Sequence, residues 1–282
     1  MAKLATMKVW AVDLGLAVHI KAPNGRYIVI DLGSKNGVSP LQSLKGKDVG
    51  YMIITHPHHD HFSDIRNIDC VYPDVLWRVK AFTREELMDG VRASEKEDFE
   101  KYCVFTGRFN RQVSQEEKPS SGIPFEGLTA TVFKTDLCDK SNINNFSGIV
   151  VLQLGNAKVI VCGDNQKESF EILMENEDFK NAIAKAYVLV APHHGRDSGF
   201  YDKFVDMVEP YITIISDTAK SDTSVTEKYE AKTEGWNVMN QSSDKTEERK
   251  CLTTRNDGNI KVIFGESDNP NYTGTLRVYS HC

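Results

Sequence analysis

Four histidines and an aspartate fall within six residues of this chain, His56-Pro-His58-His59-Asp60-His61. Of its eight histidines, two more stand together as His193-His194. Scattered core or surface histidines have no reason to gather in this way. Imidazole with carboxylate is a ligand set for Zn²⁺, and also for Mn²⁺ or Fe²⁺. The run Tyr51-Met-Ile-Ile-Thr55 reads as a buried strand, and His56 is the first residue beyond it. In extended chain His56 and His58 point to the same side, so two neutral imidazoles can share one cation. Asp60 and His61 follow where the chain turns into a helix at about 62–68. They point elsewhere and can hold a second cation nearby. Alternation turns His59 away, toward packing or support. A histidine-rich surface loop is the plain alternative, and the position directly after a buried strand argues against it.

The pattern recurs. Tyr187-Val-Leu-Val-Ala-Pro-His193-His194-Gly195 is again an apolar strand that empties into histidines. Lys158-Val-Ile-Val-Cys-Gly163-Asp164 is a strand ending in Gly-Asp, and a carboxylate there can bridge two cations. An isolated Asp164 would read as a turn residue. Beside two histidine clusters it reads as a ligand.

These residues need strands to carry them. Short β-branched runs predict strands at 8–13, 27–31, 51–55, 130–134, 149–154, 158–162, 187–191, 212–216, 260–264 and 275–279. Turn signals at Asn24-Gly25, Asn36-Gly37, Gly155-Asn156 and Asp257-Gly258 separate several of them. Helical patterns cover 168–175, 179–185 and 200–208, with Pro210 closing the last. Residues 83–122 begin charged and helix-like and end in Pro119-Ser120-Ser121-Gly122, a loop signature. They read as a helical insertion, expected to form a lid or wall beside the metal cleft. Residues 1–282 form a single α/β domain in this reading, two mixed sheets with helices outside.

Composition bounds the function. The chain has 282 residues, 40% hydrophobic and 26% charged, enough for a large core. A net charge of −6 is the wrong sign for a protein that grips a long duplex through its phosphates. No apolar stretch reaches membrane length, and residues 1–12 read as neither signal peptide nor span. The six cysteines are scattered, with no Cys-x-x-Cys pair, so a zinc ribbon or dense disulfide framework is not expected. The expected compartment is the cytoplasm.

His56-x-His58-x-Asp60-His61 resembles the signature of the metallo-β-lactamase superfamily, and the chain is similar, more narrowly, to its ComEC-type branch. Supporting motifs are Val9-Trp-Ala-Val-Asp13-Leu-Gly15, Asn24 through Ile30-Asp31-Leu-Gly33, Asn144-Asn-Phe-Ser147, Val161-Cys-Gly163-Asp164 and Thr254 through Gly258-Asn-Ile260. The resemblance implies a four-layer αβ/βα sandwich of two mixed β-sheets with metals in the cleft between the sheet edges. By motif matching, His56 and His58 would bind one metal, Asp60, His61 and His193 the other, and Asp164 would bridge. His193 is taken over His194 because the family ligand follows its strand directly. His194 would then face the substrate as a general acid, or support the ligands. Asp31 matches an aspartate that orients the metal loops. The chain departs from the pattern in four places, one of them Cys162 where the branch has threonine before Gly-Asp. A third histidine for the first metal is absent, with Asn144 in roughly that region. Arg196 stands where the branch has serine after His-His-Gly. The opening turn has one glycine, Gly15, where the branch often has two.

Two cations would lower the pKa of a shared water so that hydroxide forms near neutral pH. The expected function is a metal-dependent hydrolase, a phosphodiesterase acting on a nucleotide or single-stranded nucleic acid, with Asp60, His194 and Asn144 at the catalytic centre. Two divalent ions are expected, zinc first, with Mn²⁺ accepted at the weaker His56/His58 site. An ester, lactone or lactam hydrolase is the alternative. A catalytically silent metal-binding regulatory module is a further one. The basic and aromatic residues from Lys101 to Arg111 could stack bases, or simply pack.

Overall fold

The computed structural model describes residues 1–35, 37–218, 223–269 and 271–282; Asn36, part of one turn signal above, lies outside them. The β-branched runs become strands, since such side chains fit a pleated, covered surface, although the first lies at Leu4–Val9 and not at 8–13. Along the chain they are β1 (Leu4–Val9), β2 (Val18–Lys21), β3 (Tyr27–Ile30), β4 (Val49–Ile54), β5 (Val75–Arg78), β6 (Thr129–Phe133), β7 (Ile149–Leu154) and β8 (Ala157–Val161). There follow β9 (Val188–Val190), β10 (Ile212–Ile215), β11 (Trp236–Asn240), β12 (Lys245–Arg249), β13 (Cys251–Thr253), β14 (Ile260–Gly265) and β15 (Thr275–Ser280). One sheet has the order β12-β11-β15-β14-β1-β2-β3-β4-β5, the other β13-β10-β9-β8-β7-β6. Both are mixed. The runs β3-β4-β5 and β8-β9-β10-β13 are parallel, which puts their C-terminal ends on one edge of each sheet.

Alternation along β4 shows how the layers form. Tyr51 and Ile53 join the core between the sheets, with Val9, Ile20, Val161, Val190 and Ile214. Met52 and Ile54 face the other way, onto Phe62, Phe99, Tyr102 and Phe105. Every residue of β4 is buried, as a strand covered on both faces must be. The short helix α1 (Arg84–Met88) opens with a capping box between Thr83 and Glu86. It leads to α2 (Lys96–Gly107), which supplies Phe99, Tyr102 and Phe105. On the outer face of the second sheet, Ile160, Leu189 and Ile215 pack on Phe170, Phe179 and Phe204. These come from α3 (Lys167–Leu173), α4 (Glu177–Ile183) and α5 (Asp202–Val208). The result is the expected four-layer sandwich.

The segment 83–122 sits differently from the lid expected of it. Its helix α2 is an outer layer of the large sheet and meets the metal-motif loop from behind, through His59 and Asp98. Its aromatics are occupied in packing. Tyr102 and Phe105 are buried, and Phe109 lies against Phe105 and Tyr72. Arg111 pairs with Glu117, and Lys101 with Asp69. The base-stacking alternative thus loses its rings. Among the described residues no helix is long and apolar enough to cross a membrane.

The two sheets approach closely beside Gly163, two residues past β8. Its φ is +56°, and a Cβ built there would lie 2.9 Å from the Thr55 side chain and 3.0 Å from Ser147. Gly163→Ala should therefore destabilise the protein by roughly 1–3 kcal/mol through overpacking and left-handed strain. Gly107→Ala, where a Cβ meets nothing within 4 Å, should be nearly neutral. Urea unfolding measures both, and wild-type stability of Gly163→Ala would contradict the close approach.

Candidate metal centre

The parallel strands deliver their chemistry to one edge. β3 runs into Asp31, β4 into Thr55 and His56, β8 into Gly163 and Asp164, and β9 into His193 and His194. Two cross-sheet bonds join these ends: the Gly148 N–H donates to the Thr55 carbonyl at 2.9 Å, and the Ser216 hydroxyl to the Gly15 carbonyl at 2.8 Å. Gly15 itself is pressed against Asp60. A Cβ at its φ of +106° would fall 2.1 Å from the Asp60 carbonyl oxygen, so the opening turn holds the metal-motif loop in place.

Two groups of donor atoms form, each with its members within 4.8 Å of one another: His56, His58 and Asp164, and Asp60, His61 and His194. His56 Nε2 is 3.0 Å from His58 Nδ1 and 3.8 Å from Asp164 Oδ2. Asp164 Oδ1 is 3.1 Å from His61 Nε2, and its Oδ2 is 3.3 Å from His194 Nε2. Asp60 Oδ2 is 3.6 Å from His194 Nε2. One carboxylate thus reaches histidines of both groups.

Support from behind sets the tautomers. Asp31, wholly buried, accepts the Thr55 N–H at 2.6 Å, the Thr55 hydroxyl at 2.7 Å and His61 Nδ1–H at 2.7 Å. His194 Nδ1–H donates to the Ser216 carbonyl at 2.9 Å. With Nδ1 protonated, each ring turns a lone pair on Nε2 into the cluster, the arrangement that metal-binding histidines adopt. Both Nε2 atoms are buried and make no hydrogen bond among the described residues. Imidazole nitrogens about 3 Å from carboxylate oxygens need a positive charge between them, which a proton or a bound cation supplies. The electrostatics agree. Burial works to lower the His61 pKa, yet Asp164 and Asp31 raise it well above the ordinary value. Burial works to raise the Asp164 carboxyl, yet His194 and His61 hold it well below the ordinary range. Burial and the neighbouring His61 push His56 well down, so it stays a neutral donor.

His193, expected as the ligand, is not brought into either group, and His194, expected to face the substrate, is. The reason is local backbone. His193, His194 and Gly195 have φ of 49°, 55° and 70°, three left-handed residues in succession. Strand alternation does not survive such a turn. The His193 ring turns to other partners. Its Nδ1 is 2.8 Å from Ser198 Oγ and 3.2 Å from Gln166 Nε2, and its Nε2 is 3.5 Å from Arg196 Nη1. Asn144 stands against His58 with its Oδ1 buried and unpartnered among the described residues. His59 does turn away: its Nε2 is 2.8 Å from Asp98 Oδ2, and its ring stacks on Phe99. Sequence reasoning did not single out the supporting roles of Thr55, Ser147 and Ser216. Ser147 Oγ accepts the Asp164 N–H at 3.1 Å. The signal for all three was position, since each lies at or beside a strand end at this edge.

Replacing His61 and His59 separates ligand from support. His61→Ala should cut the zinc retained by purified protein sharply, measured by elemental analysis. His59→Ala should keep its zinc and lose about 1–2 kcal/mol of stability with the bond to Asp98. Equal loss of zinc in both variants would contradict the geometry described.

Comparison with known proteins fits this arrangement. The model of the metallo-beta-lactamase superfamily matches residues 12–215. ComE operon protein 3 of Bacillus subtilis (strain 168) is 24% identical over 178 residues, covering 63% of this chain and 21% of that protein. The chain thus spans about a fifth of the length of this curated relative, and the match lends some weight to the narrower resemblance. Igni18, described as a novel metallo hydrolase from the archaeon Ignicoccus hospitalis KIN4/I, shares the fold at a TM-score of 0.51 and 13% identity, over 91% of this chain and 98% of that one. The metallo-beta-lactamase fold protein YhfI of Bacillus subtilis overlaps 78% of this chain and 88% of its own, with a TM-score of 0.47 and 13% identity. With the family model matched across the strands that carry both donor groups, the chain belongs to the metallo-beta-lactamase superfamily.

Proposed function

We propose that the chain is a metal-dependent phosphodiesterase that uses two divalent cations, zinc first among them, on a nucleotide or short single-stranded nucleic acid. His56, His58 and Asp164 would hold one cation. Asp60, His61 and His194 would hold the other, with Asp164 reaching both. His194 takes the ligand place that motif matching gave to His193, because its Nδ1 is committed to Ser216 and its Nε2 is free. Both ring nitrogens of His193 have protein neighbours, and a guanidinium beside Nε2 repels a cation. The second group has the larger donor set and fills first. The first, with fewer ligands, binds more weakly and accepts Mn²⁺.

Bound cations supply Lewis acidity and lower the pKa of water toward neutrality. The protein's own groups supply the rest. Asp31 and the Ser216 carbonyl hold His61 and His194 in one tautomer and orientation. Asp60, with its side chain 37% exposed, is open to the cleft and can accept a hydrogen bond from a water there. Asn144 Oδ1 is an unsatisfied acceptor beside His58 and suits a cation or a substrate hydroxyl.

The observation that carries the reading is the single carboxylate of Asp164, 3.1 Å from His61 and 3.8 Å from His56, spanning both donor groups. Paired cations are suited to displacement at phosphorus, where attacking and leaving oxygens both carry charge. The net charge of −6 favours a small or single-stranded substrate over a long duplex. Turnover of a bis-aryl phosphodiester and of an acyl ester by zinc- and manganese-loaded protein tests this. The phosphodiester should be preferred, and Asp164→Ala should lower its kcat/KM by at least about a hundred-fold. Preference for the ester, a lactone or a lactam would replace the reading with acyl hydrolysis. Metal-replete protein silent on every substrate would mark a regulatory module.

A further inference from the structure

Beside the two donor groups lies an imidazole, His193, with a hydrogen-bond donor set against each of its ring nitrogens. Asn142 Nδ2 donates to Gln166 Oε1 at 3.0 Å, so the Gln166 amide presents its NH₂ to His193 Nδ1 at 3.2 Å. The Ser198 hydroxyl, 2.8 Å from the same Nδ1, can donate there as well. The ring's Nε2 faces Arg196 Nη1 at 3.5 Å, and a guanidinium never accepts. The Gln166 NH₂ faces Nδ1 and the Arg196 guanidinium faces Nε2, both donors only, so whichever nitrogen of the neutral imidazole bears the hydrogen meets a donor. Arg196 Nε is itself buried with no hydrogen-bond partner among the described residues.

A donor facing a donor is unfavourable until an acceptor joins them, and beside a fixed positive charge the acceptor that fits best is anionic. The backbone holds the pair in place. The Arg196 N–H donates to the His193 carbonyl at 3.0 Å, and Arg196 forms a β-bridge with Ser224. The pair is also near the reaction. The His193 and His194 ring centroids are 6.2 Å apart, and His194 Nε2 is 3.3 Å from Asp164. A ligand group on His193 and Arg196 therefore lies next to the second donor group.

We propose that His193 and Arg196 form an anion-binding subsite that takes a phosphoryl oxygen of the substrate, and that Arg196 sets a preference for phosphorylated over neutral substrates. The proposal rests on the phosphodiesterase reading, and the test separates the two. Inorganic phosphate is titrated by calorimetry into zinc-loaded wild type, Arg196→Ser, Arg196→Lys and His193→Ala, with zinc content measured for each. Arg196→Ser should weaken phosphate binding about tenfold or more, the scale of a lost charge-assisted pair. Arg196→Lys should recover part of the loss, since it keeps the charge without the planar fork. His193→Ala should weaken binding and keep its zinc. In turnover, Arg196→Ser should raise KM for the bis-aryl phosphodiester far more than it lowers kcat. Unchanged phosphate affinity in the Arg196 variants, or loss of zinc in His193→Ala, would overturn the subsite. Arg196-dependent phosphate binding in a protein that hydrolyses no phosphodiester would uphold the subsite and overturn the function.

Discussion

The buried carboxylate of Asp31 is the constraint on which the rest of the edge depends. Removing a carboxylate from water is costly, and burial pushes its pKa up against the pull of His61 and the Thr55 hydrogen bonds. Three donors compensate, and each fixes a different part of the site. The Thr55 N–H fixes where β4 ends. The Thr55 hydroxyl fixes the face from which His56 departs. His61 Nδ1–H fixes the ring whose other nitrogen meets Asp164. Removing Asp31 would leave buried donors unpaired on the metal-motif loop, so its effect would reach the site without touching a metal.

The second sheet is brought to this anchor by contacts that tolerate little displacement. Thr55 accepts the Gly148 N–H, and Gly163 leaves no room for a Cβ against Thr55 and Ser147. Asp164, its N–H held by Ser147, is then delivered opposite His61. Donors from two sheets meet within one carboxylate's span because parallel strands end on the same edge and the inter-sheet core holds those edges together. A cluster of imidazoles and carboxylates is a poor core on its own. Apolar layers on both faces of each sheet hold it in place.

Strand ends were readable wherever a full apolar run preceded a chemical residue. The runs before His56, Asp164 and His193 are all strands, and the residues after them all reach the cleft edge. Strands with weaker patterns were not readable. β2 has four residues, and β12, Lys-Thr-Glu-Glu-Arg, has no apolar side chain to bury; its partner β11 supplies the pairing. The exchange between His193 and His194 was hidden for a different reason. Pattern reasoning assumes extended backbone, and three successive left-handed residues turn the side chains through an angle that no periodicity encodes. The placement of α2 was partly legible, since Phe99, Tyr102 and Phe105 are spaced for one helix face. Which sheet face they would cover depended on the alternation of Met52 and Ile54.

The central claim is that Asp164 bridges two cations and that His194, not His193, completes the second donor group. Crystals soaked in zinc and measured across the zinc absorption edge test it most directly. Two anomalous peaks are predicted, one among His56, His58 and Asp164 and one among Asp60, His61, His194 and Asp164, the second filling first at low zinc. A single peak without Asp164 as a ligand, or a peak bound by His193, would contradict the account.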